Sequence, residues 1–536
     1  MNIKLLYKLL TILVFPLLFI GGCSTHNSSQ PIPDEILSIM NQTRYDGAVW
    51  SLRVVDLDKG DLIYNLEPDL VLLTGSLRKT FSSGVALNQL GPDHRFSTPV
   101  YKQGTIDNEG VLQGNLFLVA DGDLTFGGRL IDEDKIQFTN FDHVDANALG
   151  SAVLTPQDPF TGLNDLADQI EDSGIKEVNG DVVIDARLFD KFVVPNNDRL
   201  ISPIIVNENL IDVTIIPTVP GQPAIVDWRP KSAAFDLEID VMTVGQDGEF
   251  EIELSEPDAS CFESVECVGT VTGTIPEGFK PGLPEVETVV QTFKIEAPSA
   301  YARTAFIEAL EREGIAVNTN LVGPNPVNKL PAQDSYNTED LVAEFTSPPF
   351  SEATNLILKV SHNYGSNLSL ALFGLAKGVR TVQESLQEER TTLEDEFDVP
   401  GSGFNFPTNG SGSPDSEASP RAVIVLLDNM SKTGVFDPYF DSFPVLGEKG
   451  SLRFVDEGSP ATGNVRGKTG TSVGFNPETQ QFILRAKSLG GYIDTASGKR
   501  LIFAVFVNNA TLSEISEILE INNDLGKIAT AIYELN

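Results

Sequence analysis

Thr74-Gly75-Ser76-Leu77-Arg78-Lys79 begins a predicted helix that runs to about Leu90 and stops at Gly91-Pro92. With the serine at the opening of that helix, Ser76 and Lys79 lie one turn apart on the same face. A serine hydroxyl is a weak nucleophile and needs a base. A lysine can be that base only if burial or neighbouring positive charge lowers its pKa enough to leave it neutral. The stretch therefore predicts a nucleophile together with its base.

Two further short motifs lie downstream. Ser361-His362-Asn363 follows an apolar run and precedes a further helical stretch; its serine can relay a proton and its amide can hold a substrate carbonyl. Lys468-Thr469-Gly470-Thr471 precedes a predicted strand. Its lysine and hydroxyls can bind a carboxylate, while the glycine lets a substrate lie against the backbone. In chain order the three motifs provide a nucleophile, a base, a proton relay and an anion clamp.

Each motif also occurs a second time, in a context that does not suit catalysis. Ser173-Gly174-Ile175-Lys176 lies at a predicted helix end, where serine and lysine would not share a face. Ser335-Tyr336-Asn337 lies in a polar stretch, and Lys432-Thr433-Gly434 closes a predicted helix. We therefore select the first three motifs on their order and context.

The rest of the chain mixes strand and helix signals, which predicts an α/β (α+β) fold. Apolar runs at 48–56 and 61–65 predict a hairpin, and short apolar runs dominate from about residue 96 to 292. Helical periodicity returns at 300–313, 353–377 and 418–430. The chain ends in a second hairpin and a last helix with a candidate capping box, Thr511 with Glu514.

Composition excludes several classes of function. The 536 residues contain 76 acidic and 37 basic side chains, a formal charge of −39, which disfavours nucleic acid as a partner. Four His and three Cys, with no HExxH and no paired CxxC, leave little for a zinc site. A nucleotide-binding P-loop is excluded because position 462 is threonine where that motif needs glycine.

The N-terminus predicts an exported lipoprotein. Residues 1–22 combine two lysines with a short apolar stretch, and Ile20-Gly21-Gly22-Cys23 resembles a bacterial lipobox. We expect cleavage before Cys23, acylation of that cysteine and a polar tether over residues 23–33, which would anchor the protein to a membrane in the cell envelope, facing the periplasm. The alternative is an uncleaved signal anchor. Ser24 slightly favours the outer membrane.

Export also bears on the other two cysteines. Cys261 and Cys267 lie six residues apart in a loop-like segment and would face an oxidising compartment. We therefore expect them to form a disulfide.

The set Ser-x-x-Lys, Ser-x-Asn and Lys-Thr-Gly resembles that of penicillin-binding proteins and β-lactamases. Lys79 and Ser361 are 282 residues apart, with the β-rich segment between them. This arrangement resembles the class C low-molecular-mass penicillin-binding proteins, the D-alanyl-D-alanine carboxypeptidase/endopeptidase family typified by penicillin-binding protein 4. Longer stretches that support the resemblance include VVDLDKGDLIYN, NGSGSPDSEASPRAVIVLL and GGYIDTASGKRLIFAVFVNN.

The family resemblance implies a domain organisation. Residues 34–95 and 296–536 would form a DD-peptidase domain in which helices cover an antiparallel sheet. Residues 96–295 would form a β-rich insertion of one or two modules.

It also implies how the reaction begins. Ser76 would attack the penultimate D-Ala carbonyl of a peptidoglycan stem peptide, with Lys79 accepting the proton. The backbone N–H groups of Ser76 and Thr471 would form the oxyanion hole. Water would then hydrolyse the acyl-enzyme without a metal or organic cofactor, and β-lactams would acylate the same serine.

The remaining motif residues would hold the substrate. Ser361 would pass a proton to the leaving amine, and Asn363 would bind the substrate backbone. The terminal carboxylate would lie on the last motif, formed by Lys468, Thr469, Gly470 and Thr471.

Several positions depart from the family pattern, and three of them lie in or beside its short motifs. Arg78 precedes the lysine, His362 stands where an aspartate is commoner, and Asn409 replaces the acid of Asp-Gly-Ser-Gly. Two other functions stay open: a β-lactamase or esterase on the same frame, which the large insertion disfavours, and a non-catalytic lipoprotein that only binds cell-wall peptide. The sequence does not decide between carboxypeptidase and endopeptidase activity.

Overall fold

A computed structural model describes residues 29–536 except 196–198, 259–260, 262–266, 334, 478–479 and 515. The predicted signal peptide and Cys23 lie outside the described residues. Within the described ranges, no helix combines the length and the apolar character that a membrane span requires.

The chain forms helices and strands from end to end. The described helices are α1 Asp34–Met40, α2 Lys79–Leu90, α3 Ala146–Leu149, α4 Thr161–Asp172, α5 Pro298–Arg312, α6 Phe350–Lys359, α7 Asn363–Ala376, α8 Val382–Asp395, α9 Pro420–Met430, α10 Phe436–Asp441 and α11 Glu517–Leu535. The described strands are β1 Val49–Asp56, β2 Leu62–Leu66, β3 Leu72–Leu73, β4 Ser97–Ile106, β5 Val111–Val119, β6 Leu130–Asp132, β7 Lys135–Ile136, β8 Glu177–Val178, β9 Val182–Asp185, β10 Phe192–Val193, β11 Leu200–Ile201, β12 Leu210–Ile216, β13 Ile225–Arg229, β14 Phe235–Val244, β15 Glu251–Ser255, β16 Cys267–Pro276, β17 Val289–Lys294, β18 Ala316–Val317, β19 Leu341–Thr346, β20 Phe404–Asn405, β21 Glu417–Ala418, β22 Val465–Asn476, β23 Gln481–Asp494, β24 Arg500–Asn508 and β25 Ala510–Leu512.

The two predicted hairpins combine in one antiparallel sheet with the strand order β2-β1-β24-β23-β22, and β25 pairs with β23. Its central strand β24 is buried on both faces. Phe503 and Val505 belong to the core formed with α1 and α11, whereas Ile502 and Phe506 belong to the core formed with α2, α7 and α9. An antiparallel sheet between two helical layers confirms the predicted fold class.

A second sheet forms the centre of the region inserted between α2 and α6. Its order is β18-β8-β5-β4-β19, with β9 beside β5, and two smaller sheets, β13-β12-β17 and β14-β16-β15, pack with it. Strands β18 and β19 pair with β8 and β4. This sheet therefore continues to Thr346, and the predicted limit at residue 295 is too early, because a short apolar strand does not reveal its partner from sequence. We call residues 97–346 the inserted region.

The expected cysteine pair lies in the inserted region. Cys261 and Cys267 form a disulfide with a Cα–Cα distance of 5.1 Å. The bond joins Cys261 to the first residue of β16.

Two local predictions differ from the structure. The helical periodicity at 353–377 is divided between α6 and α7, and Ser361 in the break has a left-handed backbone with φ +67°. The capping box of Thr511 with Glu514 is wrong, because Thr511 lies in β25 and the last helix begins at Glu517. Thr511 is extended and pairs with Ile483 of β23, so its backbone cannot form the start of a helix.

Candidate active site

The first motif forms the turn that enters α2. Gly75–Arg78 is a 3-10 turn, and Lys79 is the first residue of the helix. The predicted helix is present, but Ser76 lies in the turn before it. The Lys79 Nζ atom is buried and lies 2.7 Å from Ser76 Oγ, as a nucleophile and base require.

Two other groups complete the surroundings of the Lys79 amine. Nζ donates to Asn363 Oδ1 at 2.6 Å and to the backbone oxygen of Ser411 at 3.1 Å. Burial lowers the pKa of Lys79 to about 7, although the charge of Asp145 raises it, and the neighbouring Arg78 lowers it further. The amine is therefore available in its neutral form near neutral pH.

The second motif lies in the break between α6 and α7, which turns Ser361 towards the third motif. Lys468 Nζ donates to Ser361 Oγ at 2.9 Å and to the backbone oxygen of Thr469 at 2.7 Å. Burial, with positive charge on Lys79 and Lys487, holds the pKa of Lys468 well below its ordinary value. A serine hydroxyl hydrogen-bonded to a lysine amine can relay a proton.

The third motif lies on β22, the edge strand of the sheet, and touches the Ser76 turn through its backbone. A Cβ on Gly75 would lie 2.5 Å from the Thr471 nitrogen, and a Cβ on Gly470 would overlap the Thr74 carbonyl. Glycine at both positions therefore permits an approach that a side chain would block. It brings the peptide nitrogens of Ser76 and Thr471 to one place.

Two side chains outside the motifs contact the third motif. The hydroxyls of Thr469 and Ser451 lie 3.1 Å apart, and Lys487 Nζ donates to Thr471 Oγ1 at 2.8 Å. Burial lowers the pKa of Lys487 to about 7. Sequence reasoning missed both residues; Lys487 lies opposite Thr471 in the β22–β23 register, which was the only signal that could have found it.

The loop at Asn409 closes over the nucleophile turn. Asn409 Oδ1 accepts from the backbone nitrogens of Ser411 at 2.9 Å and Gly412 at 2.7 Å. A Cβ on Gly412 would overlap the Gly75 carbonyl. Asn409 Oδ1 thus accepts the backbone hydrogen bonds that a carboxylate oxygen of the Asp-Gly-Ser-Gly pattern could accept. The loop it orders directs the Ser411 carbonyl towards Lys79.

Asp145 is an unpredicted residue that reaches this site from the inserted region. Asn363 Nδ2 donates to Asp145 Oδ1 at 3.1 Å. Asp145 ends a 3-10 turn, His143–Asp145, and lies more than 200 residues from Asn363 in sequence. No motif in the sequence marked it.

The other two departures from the family pattern have structural explanations. Arg78 points away from Lys79: it pairs with the carboxylate of Glu389 and stacks on Phe406, 3.9 Å from the ring centre. His362 caps α7, because its Nδ1 accepts from the Gly365 nitrogen at 2.9 Å. Burial lowers the pKa of His362 to about 3, so that it is neutral at physiological pH.

The structure thus brings the predicted site residues together, and the second copies of the motifs lie elsewhere, at the end of α4, before β19 and after α9. The residues brought together are Ser76, Lys79, Ser361, Asn363, Lys468, Thr469, Gly470 and Thr471. Over the ranges that the structure describes, no group of three or more His, Cys, Asp or Glu side chains could hold a metal ion.

Comparison with known proteins gives a family and several relatives. A family model described as the D-Ala-D-Ala carboxypeptidase 3 (S13) family matches residues 33–531. A D-alanyl-D-alanine carboxypeptidase from Actinomadura sp. (strain R39) is 25% identical over 504 residues, covering 89% of this chain and 80% of the relative. The D-alanyl-D-alanine carboxypeptidase DacB of Haemophilus influenzae is 21% identical over 508 residues, covering 89% of both proteins.

The fold also matches solved structures. The crystal structure of penicillin binding protein 4 (dacB) from H. influenzae superposes with a TM-score of 0.68 at 17% identity, covering 93% of this chain and 99% of that one. A second structure of that protein, complexed with a novel β-lactam, has a TM-score of 0.65 at the same identity and coverage. At this identity the likeness concerns the fold.

Proposed function

The chain belongs to the D-Ala-D-Ala carboxypeptidase 3 (S13) family, and we propose that it hydrolyses the terminal D-Ala-D-Ala bond of peptidoglycan stem peptides through an acyl-enzyme on Ser76. The observation that carries this proposal is the environment of Lys79. A neutral amine has two N–H donors and one lone pair. Asn363 Oδ1 and the Ser411 carbonyl take the donors, and the lone pair is left for the Ser76 hydroxyl at 2.7 Å.

The first half of the reaction follows from that arrangement. Lys79 takes the hydroxyl proton as Ser76 Oγ bonds to the carbonyl carbon of the penultimate D-Ala. The negative charge that develops on the carbonyl oxygen is stabilised by the peptide N–H groups of Ser76 and Thr471. One such donor is worth roughly 10²–10³ in rate where it has been tested.

The second half needs a proton for the leaving amine. Ser361 gives its proton to the terminal D-Ala as the peptide bond breaks, and it is resupplied through Lys468, which lies 2.9 Å away. The terminal carboxylate is held by Thr469 and Thr471 with the neighbouring lysines, Lys468 and Lys487. Asn363 binds the substrate backbone. Water then attacks the acyl-enzyme and releases the shortened peptide.

The test is release of D-alanine from a purified stem pentapeptide. Wild type is expected to release D-alanine, and Ser76→Ala is expected to release none. Asp240→Asn, on an exposed position of β14, controls for a substitution far from the site. A folded wild type that releases no D-alanine would refute the carboxypeptidase proposal.

A second candidate function is cleavage of D-Ala-diaminopimelate cross-links. A cavity of about 580 Å³ lies near the third motif, and its charged lining consists of Lys359, Lys449, Arg453 and Arg466 together with Asp441 and Glu448. Its Gly450 precedes Ser451, which contacts Thr469. An open, basic cavity there has room for a leaving group larger than one alanine, with additional carboxylates.

Cross-linked muropeptide dimers test this second activity directly. Lys449→Ser combined with Arg466→Gln is expected to raise KM for the dimer about tenfold and to leave KM for the pentapeptide unchanged. Equal effects on both substrates would contradict a leaving-group role for the cavity. If wild type does not cleave the dimer, the endopeptidase proposal is refuted and only the carboxypeptidase proposal remains.

β-Lactams are proposed to acylate Ser76, since their strained amide imitates D-Ala-D-Ala. The fold shared with the H. influenzae protein that was crystallised with a β-lactam supports this proposal. The alternative of a non-catalytic lipoprotein predicts that Ser76 stays unmodified.

The protein is further proposed to be lipid-anchored at Cys23 after removal of residues 1–22, facing the periplasm. The lipobox-like Ile20-Gly21-Gly22-Cys23 supports the anchor. Cys23→Ser is expected to move the protein from the membrane fraction to the soluble periplasmic fraction. An unchanged distribution would contradict lipidation.

A further inference from the structure

We propose that Asp145 of the inserted region is a positioning residue of the peptidase site, which orients the Asn363 amide and sets the pH at which Lys79 becomes a base. The inference rests on the proposed function, because it assigns a role towards the same lysine. Asp145 lies outside the three motifs, and its side chain reaches the site from a 3-10 turn of the inserted region.

Hydrogen bonds on both sides fix the orientation of the Asn363 amide. Asn363 Nδ2 donates to Asp145 Oδ1 at 3.1 Å, and Asn363 Oδ1 accepts from Lys79 at 2.6 Å. A carboxylate only accepts hydrogen bonds, so it holds the NH₂ end of the amide towards itself and the oxygen towards Lys79. Nδ2 keeps a second N–H, which can bind the substrate carbonyl.

Buried ionic contacts hold the turn that ends at Asp145. Asp142 accepts from both terminal nitrogens of Arg129 at 2.9 Å, and it caps the turn through the Val144 nitrogen at 3.2 Å. His143 lies between Asp212 at 2.6 Å and Glu208 at 2.8 Å.

Arg129 also donates to Glu208 at 2.6 Å, which joins the two pairs in one cluster. The side chains of this cluster are at most 7% exposed. Buried ionic groups of this kind fix one arrangement, because a displaced member would leave a partner unpaired. The inserted region thus fixes a three-residue turn whose last side chain enters the active site.

Charged groups of the site act on Lys79 from more than one element. The charge of Arg78, in the turn before α2, lowers the pKa of Lys79, and the negative charge of Asp145, from the inserted region, raises it. The Lys468 amine of β22, whose own pKa is lowered by burial and by Lys79, also faces it. Asp145 itself faces Lys79, Arg199 and the carboxylate of Asp142, and burial raises its pKa above the ordinary value. Its negative charge opposes the effect of burial on Lys79, so it raises the pKa of that lysine.

Two variants separate charge from orientation. Asp145→Asn keeps an oxygen acceptor for Asn363 and removes the charge, whereas Asp145→Ala removes both. The measurement is the second-order rate of acylation by benzylpenicillin between pH 5 and pH 9, with Asp240→Asn as the matched loss of one exposed carboxylate and with melting temperatures to verify folding.

The acylation rate is expected to rise with pH as Lys79 loses its proton (the acid limb) and then to level off at a plateau. In Asp145→Asn the acid limb is expected to move down by about one pH unit, with the plateau rate within about threefold of wild type. In Asp145→Ala the plateau rate is expected to fall about tenfold or more, because the Asn363 side-chain amide is then free to rotate. A purely structural role would lower the rate of both variants and leave the acid limb where wild type has it, which would overturn the inference. Wild-type rates in both variants would overturn it as well.

The same experiment distinguishes this inference from the proposed function. A folded wild type that is not acylated at any pH would refute the Ser76 mechanism. An acylated wild type with an unmoved acid limb in Asp145→Asn would refute the role of Asp145 alone.

Discussion

Lys79 illustrates how burial makes a lysine available in its neutral form near neutral pH, as a base requires. Its amine is fully buried and its pKa is lowered to about 7. Only the neutral amine can take the Ser76 proton, so the rate of acylation is expected to rise as pH increases through about 7 and to level off above it. Stopped-flow or quenched acylation with benzylpenicillin from pH 5 to 9 measures this limb. A rate that is independent of pH over that range would exclude Lys79 as the base.

Lys79→Arg is the matched substitution for this point. A guanidinium keeps the positive charge but is not deprotonated in proteins. Loss of about 10³-fold or more in the acylation rate is expected, in the range that general bases contribute. An active Lys79→Arg enzyme would show that another group accepts the proton.

His362 departs from the family pattern in identity and keeps a capping role that an aspartate could also fill. Its Nδ1 accepts from the Gly365 nitrogen, and its pKa of about 3 keeps it neutral. His362→Asn, which retains an acceptor, is expected to keep the rate within about threefold and the pH profile unchanged. His362→Ala is expected to lower the free energy of unfolding by about 1 kcal/mol or more. A displaced acid limb in His362→Asn would assign the histidine a protonic role instead.

The residues of the three motifs were predictable because each motif lies within three or four consecutive residues. Ser76 and Lys79 are three residues apart, and their contact follows from one helical turn. Asp145, Ser451 and Lys487 carry no such pattern. Their contacts arise from sheet register and from docking of the inserted region, which depend on the whole fold.

At the scale of elements, the site depends on β22 lying directly against the turn before α2. A Cβ at Gly470 would overlap the Thr74 carbonyl, so Gly470→Ala has to push the strand from the turn. A displacement of this kind is expected to lower acylation about 10²-fold. Gly434→Ala is the control, since a Cβ there meets nothing within 4 Å. An unaffected Gly470→Ala enzyme would show that the close approach is not needed.

The turn before α2 contacts α8 through the buried pair of Arg78 and Glu389, whose side chains are 0% and 1% exposed. Glu389→Gln would leave the guanidinium buried without its counter-charge. The free energy of unfolding, measured in urea, is expected to fall by about 3–5 kcal/mol. The exposed pair of Arg421 and Asp69 provides the comparison, and Asp69→Asn is expected to cost at most about 1 kcal/mol. Equal costs for the two variants would contradict the importance of burial.

Helix and strand positions were predicted better than their ends. Strand β1 occupies the predicted apolar run at 48–56, and α5 covers nearly all of the predicted helix at 300–313. The break at Ser361 was not predicted, because the helical signal covers 353–377 as one stretch, whereas Ser361 has a left-handed backbone with φ +67° between α6 and α7. The Thr511 capping box failed for the complementary reason, since pairing of β25 with β23 overrode a local signal.

Over the whole molecule, three distant segments and an inserted region build one site. The chain carries a formal charge of −39, yet Lys79, Lys468 and Lys487 converge where an anionic substrate would lie. The fold class and the motif residues were predictable from sequence. The extent of the inserted sheet and its contribution of Asp145 were not, because they depend on pairing between strands hundreds of residues apart.

The central claim is that Ser76 is a nucleophile assembled by these segments. The most direct test is the intact mass of the purified protein, without residues 1–22, after exposure to benzylpenicillin. Wild type and Ser173→Ala, which alters the second Ser-x-x-Lys copy, are each predicted to gain one equivalent of the β-lactam, and Ser76→Ala is predicted to gain none. A folded wild type that stays unmodified, or a Ser76→Ala variant modified to the same extent, would contradict the account.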